Sequence, residues 1–164
     1  MRHLITMLVE NEAGALCRVA SLFSARGYNI ESLAVAPIED SSLSRLTVVT
    51  QGDDATIEQI TKQLNKLLDV VRVADLTCVE HVERELMLIK MRVSSPTARD
   101  ELTRQVEIFR GQIVDIAEGS YTVQLTGKSD KLDAFVGLMR EECILELNRT
   151  GPIGMSRGEK AFRV

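Results

Sequence analysis

In this 164-residue chain, the residues best placed to do chemistry gather between Asn11 and Ile30, and the chemistry they suit is recognition rather than bond making. Gly14 precedes an apolar-periodic stretch that opens at Ala15, so it stands where a helix begins and backbone N–H groups lack intrahelical partners. Such a terminus favours an anion, and a residue without a Cβ lets a ligand approach the backbone closely. The carboxylate of a free amino acid could dock there. Asn11 and Asn29 flank the same helix in sequence, each with an amide that can donate and accept, and so read ammonium and carboxylate groups together. Ser32, Ala34 and Ala36 fall on one face of the following strand and leave room beside it for an aliphatic side chain. On spacing alone, glycine and asparagine in turns more often serve the left-handed backbone than a ligand.

The rest of the inventory argues against catalysis and against a metal. The two histidines are His3, on a first strand, and His81, in a polar stretch; both suit structural or solvent-facing roles. The pairs Glu39-Asp40, Asp53-Asp54 and Glu141-Glu142 sit at turns or helix ends, where solvation and the helix dipole account for them, so no catalytic acid and base are assigned. No glycine-rich phosphate loop is present, and the six methionines suit core filling. Cys17, Cys78 and Cys143 are odd in number and widely spaced, which fits reduced thiols at or near the core rather than a disulfide framework. With a net charge of −4 and no basic block, the chain is poorly suited to a phosphate backbone, which excludes nucleic acid as an expected partner. No apolar run is long enough to cross a bilayer, and the N-terminus starts as an alternating strand rather than an export signal, so no membrane partner and a cytoplasmic address are expected.

The elements that must position these residues follow from periodicity. Ile5, Met7 and Val9 alternate with Leu4, Thr6 and Leu8 as a strand; Leu16, Val19, Ala20 and Phe23 form a helical stripe that Gly27 stops. Asn29 to Pro37 and Ser42 to Gln51 read as two more strands. Asp53 and Asp54 open a helix with the stripe Ile57, Ile60, Leu64 and Leu67, and Val70 to Leu76 closes the unit. After a polar stretch from Thr77 to Arg84, the order repeats. A strand over Glu85 to Val93 leads to a helix with Pro96 near its start and a stop at Gly111, then strands near 112–117 and 120–126. A helix capped by Ser129 and a last strand, Cys143 to Arg149, complete the repeat. Two successive βαββαβ units predict an α+β protein of two tandem ferredoxin-like domains, over residues 1–77 and 84–164. Each sheet carries helices on one face, yet both faces hold apolar positions, so self-association or another protein is expected to cover the second.

The run NEAGALCRVASLFSARGYNIESLAVAP, Asn11 to Pro37, closely resembles the N-terminal ACT domain of acetolactate synthase (acetohydroxyacid synthase) small subunits. The resemblance continues through LSRLTVVTQGD, QITKQLNKLLDVVRV, VERELMLIK, EIFRGQIVDI, YTVQLTGKSDKLDAF and SRGEK, and so covers essentially the whole chain. It implies a non-catalytic regulatory subunit that activates a large catalytic subunit and confers valine feedback on branched-chain amino-acid biosynthesis. It also implies that ACT domains pair side by side into a homodimer and that valine binds between them. Carried over, Asn11, Gly14, Ala15 and Leu16 of one chain face Asn29 and Ile30 of its neighbour. Cys17 stands where relatives often have serine, a small and isosteric departure. Thiamine diphosphate, FAD and magnesium are then expected in the catalytic partner, and no cofactor in this chain. The alternatives are a free-standing ACT-type amino-acid sensor acting on another protein and a small enzyme on a ferredoxin-like fold.

Overall fold

The computed structural model describes residues 1–159 and 161–163; Lys160, the end of the SRGEK stretch, and Val164, the end of the expected second domain, lie outside them. Two compact units emerge, one of residues 1–83 with 151–164 and one of residues 84–150. The first runs β1 (Arg2–Glu10), α1 (Ala15–Ala25), β2 (Ile30–Pro37), β3 (Leu43–Gln51), α2 (Asp54–Leu64), β4 (Val70–Asp75), in the sheet order β2-β3-β1-β4. All its strand pairings are antiparallel. The two-residue period of β1 sends Ile5, Met7 and Val9 to the helical side, where they meet Leu46 and Val48 of β3, Val19 and Phe23 of α1, and Ile57, Ile60 and Leu64 of α2. Gly27, at φ 69°, turns the chain out of α1. The Asp53 carboxylate accepts the Thr56 amide at 2.8 Å and caps α2.

The second unit repeats the order with β5 (His81–Arg92), which enters it from Arg84, then α3 (Pro96–Ile108), β6 (Gln112–Ala117), β7 (Ser120–Gly127), α4 (Ser129–Leu138) and β8 (Ile144–Arg149), arranged β6-β7-β5-β8. Its core joins Met87, Ile89 and Met91 of β5 to Val123 and Leu125 of β7, Leu102 and Val106 of α3, and Leu132 and Phe135 of α4. The expected tandem of ferredoxin-like α+β units is therefore present.

Several local expectations are revised. The stretch read as a polar linker already belongs to β5 from His81, because the strand period is carried by buried glutamates. Glu83 pairs with Arg2 at 2.5 Å, and Glu85 accepts the Ser129 hydroxyl at 2.9 Å. That bond also takes Ser129 from its expected capping role; Lys128 precedes α4 and no side chain caps the helix. At the end of α3 the left-handed residue is Arg110, at φ 54°, rather than Gly111. Gly111 is needed for another reason: a Cβ there would meet the Gln124 carbonyl and Leu125 at 3.1 Å.

The second domain is expected to run to residue 164, and the stretch after Gly151 groups by packing with the first unit. Residues 151–159 and 161–163 pack there, including a short strand, β9 (Ile153–Ser156), which pairs with β5. Gly154 is the reason the segment fits: a Cβ would lie 2.7 Å from both Leu4 and Leu76. With Val49, those two leucines form a cluster of their own on the sheet face away from the helices. Part of the second face is thus covered by the chain's own end.

Phe135 is fully buried and meets Phe109 edge-on at 5.3 Å between centroids. Phe135→Ala should therefore cost about 3–5 kcal/mol in urea denaturation, with hydrogen exchange accelerating across residues 84–150.

Candidate functional site

At the N-terminus of α1, Gly14 takes φ 92°, and no side chain caps the helix, so the amides at Leu16 and Cys17 are left for solvent or a ligand. One turn on, Arg18 folds its guanidinium back toward Gly14, where a Cβ would lie 2.8 Å from Nη1. The same guanidinium donates two hydrogen bonds to Asp69, from Nη2 to Oδ1 at 2.6 Å and from Nε to Oδ2. These bonds hold the Asp69 carboxyl below its ordinary value of 3.8. The Asp69 carbonyl in turn accepts the Glu10 amide at 2.8 Å. The end of β1, the first turn of α1 and the entry to β4 are thereby fastened together. Sequence reasoning did not single out Arg18; its signal was a basic residue four positions after Gly14, on the solvent side of the helical stripe.

The other expected site residues divide into two groups. Asn11 is exposed; its Nδ2 donates to the Ser41 carbonyl at 3.0 Å and its backbone amide to Ser42 at 2.7 Å, tying the first turn to the β2–β3 turn. Ala15 is 3% exposed and packs into the core, so it offers only backbone, whereas Leu16 is 40% exposed. Asn29 lies at the far end of α1, exposed, its carbonyl accepting the Thr50 hydroxyl at 2.6 Å; Ile30 packs half-buried against the first core. An 11-residue helix spans about 16 Å, so one chain alone does not bring Asn29 and Ile30 to Gly14.

Ser32, Ala34 and Ala36 do not flank this turn. Register places them opposite Val49, Thr47 and Arg45, on the face away from the helices, and Gly151 packs against Ser32. A cavity of about 330 Å³ lies in the second unit instead, between the β5–α3 turn and the end of α4, and none of the expected ligand residues lines it. Among the described residues, no cluster of His, Cys, Asp or Glu could hold a metal.

His3 is a buried structural residue whose Nδ1 lies 2.8 Å from Asp75. Burial pushes the Asp75 carboxyl up, but hydrogen bonds from His3 and Thr77 outweigh it and leave it below 3.8. Cys17 and Cys78 are exposed, not core residues, because both fall off the apolar stripes; Cys143 is half-buried. No helix among the described residues is long and apolar enough to cross a membrane.

Comparison with known proteins decides between the readings left open by this geometry. Residues 5–72 match the AHAS small subunit-like ACT domain, and residues 84–158 match the small subunit of acetolactate synthase. The acetolactate synthase isozyme 3 small subunits of Salmonella typhimurium and Escherichia coli are each 55% identical over 164 residues, 99% of this chain and all of theirs.

The chain belongs to the acetolactate synthase small-subunit family.

The crystal structure of the small subunit from Thermotoga maritima superposes with a TM-score of 0.89 at 41% identity, covering 98% of this chain and 99% of that one. Within the family, the small subunit is a regulatory ACT-domain protein and catalysis resides in the large subunit.

Two outcomes test the first turn. Gly14→Ala, which places a Cβ against Arg18 in a left-handed backbone, should lower stability by about 1–2 kcal/mol in chemical denaturation. Because the folded Asp69 carboxyl lies below its unfolded value, its contribution is complete above about pH 4 and is lost as pH falls through the lowered folded value. Urea midpoints measured from pH 6 downward should therefore drop more steeply at the acid end for the native chain than for Asp69→Asn.

Proposed function

We propose that this chain is the regulatory subunit of an acetolactate synthase. In this reading it forms a homodimer through its ACT domains, binds valine between the two copies, and sets the activity of a large catalytic subunit that holds thiamine diphosphate, FAD and magnesium. Family membership supports the partner and a cytoplasmic setting. The observation that carries the effector site is the uncapped start of α1, with Gly14 at φ 92°. Its free amides and the nearby Arg18 guanidinium suit a carboxylate, and glycine lets that carboxylate reach them.

A second copy completes the site by simple geometry. β2 is an edge strand, with Val35 46% exposed. Its C-terminal end enters the turn that Asn11 holds, and its N-terminal end follows Asn29. Two β2 strands paired antiparallel about a two-fold axis bring the start of one, with Asn29 and Ile30, beside the end of the other, with Asn11 and Gly14. Valine's ammonium and carboxylate then meet the two asparagines and the helix start, and its isopropyl group meets Leu16 and Ile30. Binding across the pair shifts how the dimer sits on the catalytic subunit, with a coupling of about 1–3 kcal/mol.

Calorimetric titration of valine into the native chain should give binding that two variants abolish or strongly weaken. Gly14→Asp tolerates the left-handed backbone but puts a carboxylate where the ligand's belongs. Asn29→His removes an amide. Each should also give a holoenzyme that valine no longer inhibits. Native affinity in either variant, or a native chain that stays monomeric with valine, refutes the shared site.

A further inference from the structure

The face of the first sheet away from its helices carries a feature that the effector site does not use. Register sets Arg45, Leu8 and Arg72 in one row across β3, β1 and β4. Phe162, near the chain's end, lies over that row, with the guanidinium carbons of Arg45 and Arg72 each 5.1 Å from the ring centroid. Among the described residues neither arginine has a carboxylate in ion-pair contact. Arg45 donates from Nε to the Thr6 hydroxyl at 3.1 Å, and its Nη2 is buried without a partner. Burial pushes the Arg45 guanidinium below its ordinary value, with Glu39 opposing. Arg72 donates from Nη1 to the Arg163 carbonyl.

The segment holding Phe162 has a fixed root and a loose tip. At the root, β9 pairs with β5, Gly154 is wedged against Leu4 and Leu76, and the Arg157 amide donates to the Glu80 carbonyl at 2.9 Å. At the tip, residues 161–163 form no strand and are held by the two ring contacts and the Arg72 bond. Contacts of this kind beside solvent are individually weak.

We infer that the tip is a displaceable strap, and that the Arg45–Leu8–Arg72 row beneath it is a docking surface for an acidic segment bearing an aromatic residue on the catalytic partner. Phe162 keeps the place of that aromatic ring. A carboxylate beside the incoming ring supplies what Phe162 cannot, a charged acceptor for the unpartnered Arg45 Nη2 and for Arg72. Leu8, 1% exposed, supplies the apolar floor between them. The inference rests on the reading that this chain docks on a catalytic subunit.

The test titrates the purified catalytic subunit with the full chain and its variants. If the strap competes for the row, Phe162→Ala and a chain ending at Glu159 should each bind about threefold to tenfold more tightly, since removing a competing state raises the competent fraction. Adding Arg72→Gln to Phe162→Ala should erase the gain. Phe162→Leu, which keeps the apolar bulk and loses the ring, should give a smaller gain and guards against a folding artefact. Hydrogen exchange in the complex should quicken at residues 161–163 and slow around Arg45. Binding that is unchanged or weaker in both Phe162→Ala and the shortened chain, or a strap protected in the complex, overturns the docking surface while leaving the regulatory reading intact. A native chain and variants that all fail to bind overturn both.

Discussion

A four-stranded sheet with apolar residues on both faces cannot leave one of them to water, and the first unit is organised around that constraint. Ile5, Met7 and Val9 are absorbed by two helices, as in any two-layer α+β domain. Leu4, Leu8 and Val49 on the reverse face are each at most 3% exposed, and the segment after Gly151 packs on that side. The fit depends on glycine: at 154 a side chain would strike Leu4 and Leu76, and at 151, with φ 74°, it would strike Ser32. Close packing of this kind leaves little tolerance for added atoms.

The start of α1 on the same unit shows the opposite property, backbone amides that no side chain caps. An uncapped helix start forgoes the stabilisation of a side-chain cap, its first amides resting on solvent instead. The Arg18–Asp69 bridge stabilises that start by locking the turn to β1 and β4 without occupying the amides themselves. In the proposed reading the arrangement is half of a site, since Asn29 and Ile30 stand a helix length away. Regulation through a shared site couples ligand occupancy to the relation between two copies, which a pocket closed within one chain could not do.

Much of this was legible in the sequence, for a physical reason. Periods of two and 3.6 residues mark burial directly, so both βαββαβ units could be read from Ile5 to Arg149 with boundaries shifted by a residue or two. The start of β5 was placed four residues late because Glu83 occupies an inward position, and a carboxylate reads as solvent-facing unless its partner, Arg2, is known. Arg110 in a left-handed turn could not be foreseen, since glycine next door was the cheaper choice and had been claimed by contact with Gln124 and Leu125. Of the first turn, the left-handed Gly14 and the turn-holding Asn11 were readable from turn chemistry. Arg18 was not, because its role lies in a contact with a residue 51 positions away. The packing of the described residues after Gly151 on the first unit was equally invisible, carried as it is by glycines and two ring contacts rather than by any periodic pattern.

That discontinuous first unit has a consequence for how the protein is made. Vectorial synthesis delivers domains from the N-terminus onward, and most fold as they emerge. Here the last stretch of the first unit leaves the ribosome after the entire second unit. Until then, the nascent sheet presents Leu4, Val49 and Leu76 without the strand that lies against them, a patch suited to chaperones or to premature encounters between neighbouring polypeptides. Closure of that face thus waits until the stretch after Gly151 has been translated.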